Sequence, residues 1–551
     1  MTRRQALLSV AGAAAASAAP VDPPEIPVAM VQRNDAAAER YLRTQITDPG
    51  RWRGSVPDEY RMHSAGTAGG LIETLTAALV CPQSKHHGEG ELINRIRLAA
   101  RFLEGSQSPE GNIDLLSTNF NSPPDTGFVV HNVGTAGAIA KMYGADEVLR
   151  ALRGFLTAAG RGMAGGGIHT PNHRWVVSSA LAQVNELFPN PSYEQRINQW
   201  LAESVDIDEE GQYIERSTVT YNTVCDRALT VMAAKLKRAD LLEPVRRNLR
   251  TMMYLIHPDG EVVTEVSRRQ DQNTRGTMAG YWFPLQYLAI HDQDAQFATL
   301  ARDLGAEHAR LSTLLEYPAL AGKLPNGAPL PDDYEKPYPS MGLARIRRSA
   351  LDATMVLSGN SRIFSARKGP AVIEAVRFAT SFFGKGQFVP TATVKQNRGY
   401  VMRQSLEAPY YQPLLPPQHV TAKNWATFRE KRRKSQMCKL DQSATITERG
   451  NGFEIRFESR GTDGVPLAIE IALREGGELR GCRPAPHVEG AWILEQGQAS
   501  YRVGGTELRF GPGGAPHLLT QLRGAEPSLA GVSVYVTGYT PFDGTMRFEF
   551  L

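Results

Sequence analysis

The chain has 551 residues, 42% of them apolar and 21% charged. That is too long for one hydrophobic core and too apolar for a disordered chain, so two or more globular domains are expected. A formal net charge of +4 is small for this length and gives no reason to expect nucleic acid. The cysteines, Cys81, Cys225, Cys438 and Cys482, are too scattered for a disulfide framework, and no CxxC or HExxH pattern is present to hold a metal.

The N-terminus reads MTRRQALLSVAGAAAASAAP, with Arg3–Arg4, a weakly apolar Ala-rich stretch, and Ala16-Ser17-Ala18 as a small-residue cleavage site. This predicts an export signal over residues 1–19, of twin-arginine type, and a mature protein that is periplasmic or secreted. No later run has the roughly eighteen apolar residues of a membrane span.

Residues 20–325 read as helices. AAAERYLRTQI, LINRIRLAARFLEG, EVLRALRGFLTAAG, RWVVSSALAQVNELF and LLEPVRRNLRTMMYLI carry apolar residues at three- and four-residue spacing. Between them runs a set of similar loops. Each has a Gly, an extended stretch, a polar cluster and then an apolar helix. The first holds Gly111, Asn119, Asp125 and His131; the second Gly167, Asn172, His173 and Arg174; the third Gly211, Glu215 and Tyr221; the fourth Gly260, Glu265, Arg268 and Arg269. The glycines are 56, 44 and 49 residues apart. A period near fifty is one helical hairpin with its loops, which predicts an (α/α) toroid or incomplete barrel of about six hairpins. Equivalent loops of such an array emerge on one end, so their polar clusters are expected to face one cavity. His169 and His173 are separated by Pro171 and are not read as a metal pair. No metal or cofactor is expected.

After YPALAGKLPNGAPLPDDYEKPYPS the texture changes. Residues 326–551 alternate apolar and polar positions between Gly-rich turns, as in QSATITERGNGFEIRFESR and AGVSVYVTGYTPFDGTMRFEFL, which predicts an antiparallel β-sandwich. The basic run Phe428 to Leu440 reads as a solvated loop.

Asn172-His173 opening a helix, Tyr221 48 residues after His173, and a helical toroid followed by a β-sandwich together resemble the heparinase II/III-like and alginate lyase-like polysaccharide lyases. In that group an Asn-His pair faces the substrate carboxylate and a Tyr about one repeat later acts as catalytic acid or base. The resemblance implies an acidic, uronic-acid-containing polysaccharide or oligosaccharide as partner and β-elimination as the reaction. That reaction removes the C5 proton and expels the C4 oxygen, so groups that neutralise the carboxylate lower its barrier. Tyr221 is then the expected general acid/base, Asn172 and His173 the carboxylate donors, and His131 a candidate second acid/base. Arg268, Arg269, Arg174 and Asn119 are candidate substrate-binding residues, and Trp175, Tyr281 and Trp282 candidate platforms for sugar rings. Successive residues of an extended stretch face opposite ways, so the sequence leaves open which of Arg268 and Arg269 faces the cavity.

Asn172 also fits a plain helix cap. Two other functions stay open. One is a glycoside hydrolase using two of Asp125, Glu215, Glu265 and Asp271. The other is a non-catalytic glycan-binding protein that stacks sugars on the aromatic residues.

Overall fold

The computed structural model describes residues 23–486 and 488–551; the export signal expected at residues 1–19 lies outside them. The helices are α1 (Val28–Thr44), α2 (Ala65–Val80), α3 (Gly90–Gly105), α4 (Pro123–Met142), α5 (Asp146–Gly165), α6 (His173–Leu187), α7 (Pro191–Leu201), α8 (Tyr221–Leu236), α9 (Leu242–Met252), α10 (Trp282–His291), α11 (Ala295–Leu304) and α12 (Leu311–Glu316). A short hairpin, β1 (Ile113–Leu115) and β2 (Asn119–Ser122), precedes α4. Among the described residues no helix is long and apolar enough to cross a membrane.

Two compact units emerge. One runs to Val205 and adds Val224–Val245 and Tyr281–Ala328; the other comprises Asp206–Thr223, Arg246–Gly280 and Pro329–Leu551. The helices end, with a 3-10 turn at Pro318–Ala321, shortly before the first sandwich strand at Asp333. Compactness does not follow that linear boundary, because two loop segments from among the helices belong with the β unit.

In the first unit, successive hairpins pair α2 with α3, α4 with α5 and α6 with α7. The first members also pack on one another in the order α2, α4, α6, and the second members in the order α3, α5, α7. This makes two layers. Helix α4 is buried on nearly every side, whereas α3 and α5 bury one apolar face, as an outer layer requires. Close approach within the inner layer depends on small residues. A Cβ on Gly127 of α4 would lie 3.0 Å from a Val176 methyl of α6 and 3.4 Å from its carbonyl oxygen.

The loops repeat one hydrogen-bonded turn. Its fourth residue donates N–H to the first residue's carbonyl, and the first residue's N–H donates to the carbonyl of the fifth. This occurs at 58–62, 108–112, 208–212 and 257–261. The fourth residue is left-handed each time: Arg61 at φ 60°, Gly111 at 100°, Gly211 at 80° and Gly260 at 85°. The predicted member at Gly167 is not such a turn. Residues 58–62 take its place, concealed from sequence reading because an arginine stands where the others have glycine. At Gly111 any side chain forces the neighbouring backbone to shift, since an added Cβ would lie 2.1 Å from the Ala158 carbonyl oxygen. Gly111→Ala is expected to cost about 1–3 kcal/mol, through backbone strain and forced displacement of α5, as read by urea unfolding.

In the second unit two sheets form the sandwich. The nine-stranded sheet runs Arg483–Pro484, Ala491–Ile493, Val532–Tyr539, Pro466–Leu473, Ala371–Thr380, Phe364–Lys368, Leu351–Val356, Leu343–Arg348, Asp333–Tyr338. The eight-stranded sheet runs Glu478–Arg480, Ala499–Val503, Thr506–Gly511, Phe542–Phe550, Gly452–Gly461, Lys434–Arg449, Gly399–Tyr411, Ala392–Gln396. Neighbours are antiparallel except for Ala491–Ile493 beside Val532–Tyr539. Period-two burial along Lys434–Arg449 puts Leu440, Gln442, Ala444 and Ile446 inside. This strand also takes in the end of the basic run read as a loop, and a short helix, Trp425–Glu430, covers its start. Phenylalanines from the two sheets meet in one core, Phe364 on Phe453 at 5.0 Å and Phe378 on Phe457 at 5.4 Å between ring centroids.

Buried charge accounts for the loop segments that join this unit. Asp352 accepts from Arg345 Nη2 at 2.6 Å and bonds His257 Nδ1 at 2.5 Å, while Arg345 Nε donates to the Tyr254 carbonyl at 3.0 Å. Arg474 and Arg367 reach Glu261 at 2.7 and 2.9 Å, and Ser340 Oγ donates to Asp208 at 2.8 Å.

Candidate functional site

Within the second unit, the third and fourth loops zip together and build a cluster around Tyr221. Thr218 N–H donates to Ser267 Oγ at 3.2 Å, Thr218 Oγ1 to the Val263 carbonyl at 2.8 Å, and Arg268 N–H to the Arg216 carbonyl at 3.1 Å. Tyr221 is the first residue of α8, fixed by its N–H donating to Ser217 Oγ at 3.0 Å. Its hydroxyl accepts from Gln270 Nε2 at 2.9 Å. The Arg269 guanidinium lies 4.5 Å from the centre of its ring and is itself bonded to Glu215 at 2.6 Å. Arg268 is exposed. Burial first, and then the positive charge of Arg268, push the Arg216 guanidinium below its ordinary value. Asp208, 4.0 Å from the Arg216 guanidinium, and Glu210 oppose that shift. Arg269 thus lies against the Tyr221 ring, while Arg268 meets Arg216 through its backbone N–H.

In the first unit Asn172 occupies the cap position of α6 in helical conformation, but its side chain makes no cap. Its Nδ2 donates to Thr170 Oγ1 at 3.2 Å. The plain capping reading therefore fails. His173 meets His169 edge to face at 4.6 Å, because the loop through Pro171 folds back rather than continuing a helix. The Phe128 ring lies 6.2 Å from His173 and 6.3 Å from His131, so the packing of α4 on α6 brings the two predicted histidines to one aromatic ring. Among the described residues no group of three or more His, Cys, Asp and Glu is placed to hold a metal ion.

His131 does not fit an acid/base role. It is 7% exposed, and its Nε2 bonds Ser179 Oγ at 2.7 Å. Burial first, and then the Arg227 charge, push its pKa down to about 3. The folded state thus holds it neutral where the unfolded chain would protonate it. Its stabilising contribution is complete above about pH 6.5 and is lost as pH falls towards 3, an effect of about 5 kcal/mol. His131→Gln is expected to flatten the loss of stability between pH 6.5 and 4 by close to one proton, as read from urea unfolding across that range.

Other predicted residues have structural roles. Trp175 and Tyr281 are fully buried and Trp282 is 5% exposed, so none presents a face to a sugar; all three are core aromatics. Arg174 is buried, bonded to Glu203 at 3.2 Å and to the Ser204 carbonyl at 3.3 Å, and ties α6 to the end of α7. Asn119 Nδ2 and Ser122 Oγ both donate to Asp125, which belongs to the cap of α4. Asp271 accepts from the Val219 N–H at 3.1 Å and joins the two loops. Glu265 accepts from Ser365 Oγ at 3.0 Å, and Glu215 is ion-paired to Arg269 as above. Every carboxylate proposed for hydrolysis therefore already holds a local partner. Sequence reading missed Gln270 and Arg216. Gln270 lies 49 residues from Tyr221, one repeat away, and that offset was the available signal.

No protein-family model and no curated sequence matches the chain. Solved structures do match in fold. The Streptomyces coelicolor A3 chondroitin AC lyase, solved in complex with chondroitin sulphate, aligns with a TM-score of 0.58 and 14% identity over 96% of this chain and 80% of that one. A Paenibacillus xanthan lyase aligns with a TM-score of 0.56 and 11% identity over 95% of this chain and 57% of its own. Heparinase III aligns with a TM-score of 0.55 and 12% identity over 97% and 88%. The chain thus has the fold of heparinase III-like polysaccharide lyases, an N-terminal helical domain followed by a C-terminal β-sandwich.

Proposed function

We propose that the protein cleaves a uronic-acid-containing polysaccharide by β-elimination. The observation that carries this reading is the Tyr221 hydroxyl, held by Gln270 under the Arg269 guanidinium and built from the same loops as the Arg216–Arg268 pair. In the proposed step Tyr221 enters as its phenolate, and the phenolate oxygen takes the C5 proton. The freed electron pair closes the C4–C5 double bond, the C4–O4 bond breaks, and the leaving oxygen takes a proton from the same phenol. Negative charge builds first on the uronate carboxylate. Arg216 and Arg268 are assigned to neutralise it, and Arg269 to stabilise charge on the phenol oxygen as the proton moves. Asn172 and His173 keep their assignment as carboxylate donors on the sequence pattern. Export by the N-terminal signal, to the periplasm or beyond, belongs to the same proposal.

The test is incubation of the purified protein with chondroitin sulphate, heparan sulphate, xanthan and alginate while ultraviolet absorbance is followed. Only elimination leaves a C4–C5 double bond conjugated to the carboxylate. Rising absorbance supports the proposal. New reducing ends without that absorbance overturn it in favour of hydrolysis.

A further inference from the structure

The first unit contains a cavity of about 510 Å³ that shares no residue with the Tyr221 cluster. This volume lies within the roughly 300–1,000 Å³ of small-molecule sites. Arg51, Arg53 and Arg101 line it, and among the described residues none of the three makes an ion pair. Asp114 is the one acidic residue on its wall, so the lining carries three positive charges against one negative, a formal +2. Three guanidiniums facing one space repel one another unless an anion enters it. Leu98, Phe102 and Leu116 supply an apolar wall beside them.

The arginine-bearing loop is held in place. Trp52 stacks on His63 with ring centroids 4.5 Å apart and 8° between planes, and His63 Nδ1 bonds Ser55 Oγ at 2.8 Å. The Arg51 guanidinium lies 4.4 Å from the Trp52 ring. The turn at 58–62 closes the loop beyond them. The loop and the Arg51 guanidinium are therefore held before an anion arrives, which lowers the cost of ordering them.

We infer that this cavity is a recognition subsite for one acidic sugar residue of a polysaccharide, with the arginines binding its sulfate or carboxylate and the apolar wall its ring. Guanidinium forks match both oxyanions, and the mixed lining suits a sugar better than a bare ion. The inference shares with the proposed function only the premise of an acidic glycan.

The test is isothermal titration of the full chain carrying Tyr221→Phe, which is expected to slow turnover, with octasaccharides of chondroitin sulphate, its desulfated form, its carboxyl-reduced form, and alginate, each recovered afterwards and checked to be uncleaved. Adding Arg51→Ala, Arg53→Ala and Arg101→Ala is expected to weaken the best binder tenfold or more. The three Arg→Lys changes should restore part of the loss. Weakening by desulfation identifies sulfate as the recognised group, and weakening by carboxyl reduction identifies the carboxylate. If the triple variant melts early, Arg101→Ala alone, on the exposed side of α3, should still weaken binding about threefold. Equal affinity in a folded variant overturns the inference, as does absence of binding across the panel. Binding is read without turnover, so an absent elimination signal refutes the lyase reading and leaves this result standing.

Discussion

Replacing Tyr221 by phenylalanine is expected to lower kcat by a factor on the order of 10²–10⁴, the range that a positioned acid/base group contributes. The change removes one hydroxyl and little else. The ring remains for the Arg269 guanidinium, and the N–H of residue 221 still donates to Ser217 Oγ. Gln270, which loses its acceptor, is exposed and finds water instead. Stability should therefore stay within about 0.5 kcal/mol of the parent. Because the hydroxyl acts in proton transfer, kcat and kcat/KM should fall together while KM holds. Initial rates from the ultraviolet signal, with a thermal melt as control, decide the matter. A variant that melts normally and keeps more than half its rate removes Tyr221 from the mechanism.

Asp352→Asn is expected to cost about 3–5 kcal/mol of stability, because it leaves the Arg345 guanidinium buried without its counter-charge. Arg345 is 0% exposed and Asp352 is 1% exposed. Burial by itself raises the Asp352 carboxyl; Arg345 and His257 overcome it and hold the pKa at about 2. With the folded value below the unfolded one, the stabilisation is complete above about pH 4 and disappears as pH falls through 2. His257 shares the carboxylate and anchors the turn at 257–261 to the sheet, so the variant should also lose hydrogen-exchange protection in Arg246–Gly280. Urea unfolding at pH 7 measures the first effect, and exchange mass spectrometry the second. A loss below about 1 kcal/mol would show that water or another carboxylate replaces Asp352.

The repeat was legible because its period is written in helix spacing and turn glycines, and its members still had to be corrected. Arg61 adopts the left-handed conformation that glycine signals elsewhere, so the turn at 58–62 carried no mark. Gly167 carried the mark without the turn. Burial decided the aromatic residues. Trp175 follows polar loop residues, as a sugar platform would, yet the packing of α6 takes it fully inside. Asn172 has the residue type and position of a cap but not its hydrogen bond.

Sequence by itself determined the order of helices before strands, the period near fifty, the sandwich alternation and Tyr221 as the residue to test. Each of these rests on local periodicity or on residue chemistry that survives any packing. Only the tertiary structure decided which polar side chains meet. Contacts between the third and fourth loops join residues separated by offsets from 45, for Thr218 and Val263, to 54, for Glu215 and Arg269. An offset that varies with each loop's path cannot be read from an average period. The assignment of Arg269 to Tyr221, the Arg216–Arg268 pair and the neutral His131 all follow from burial and charge between repeats. Those quantities exist only once the chain has folded.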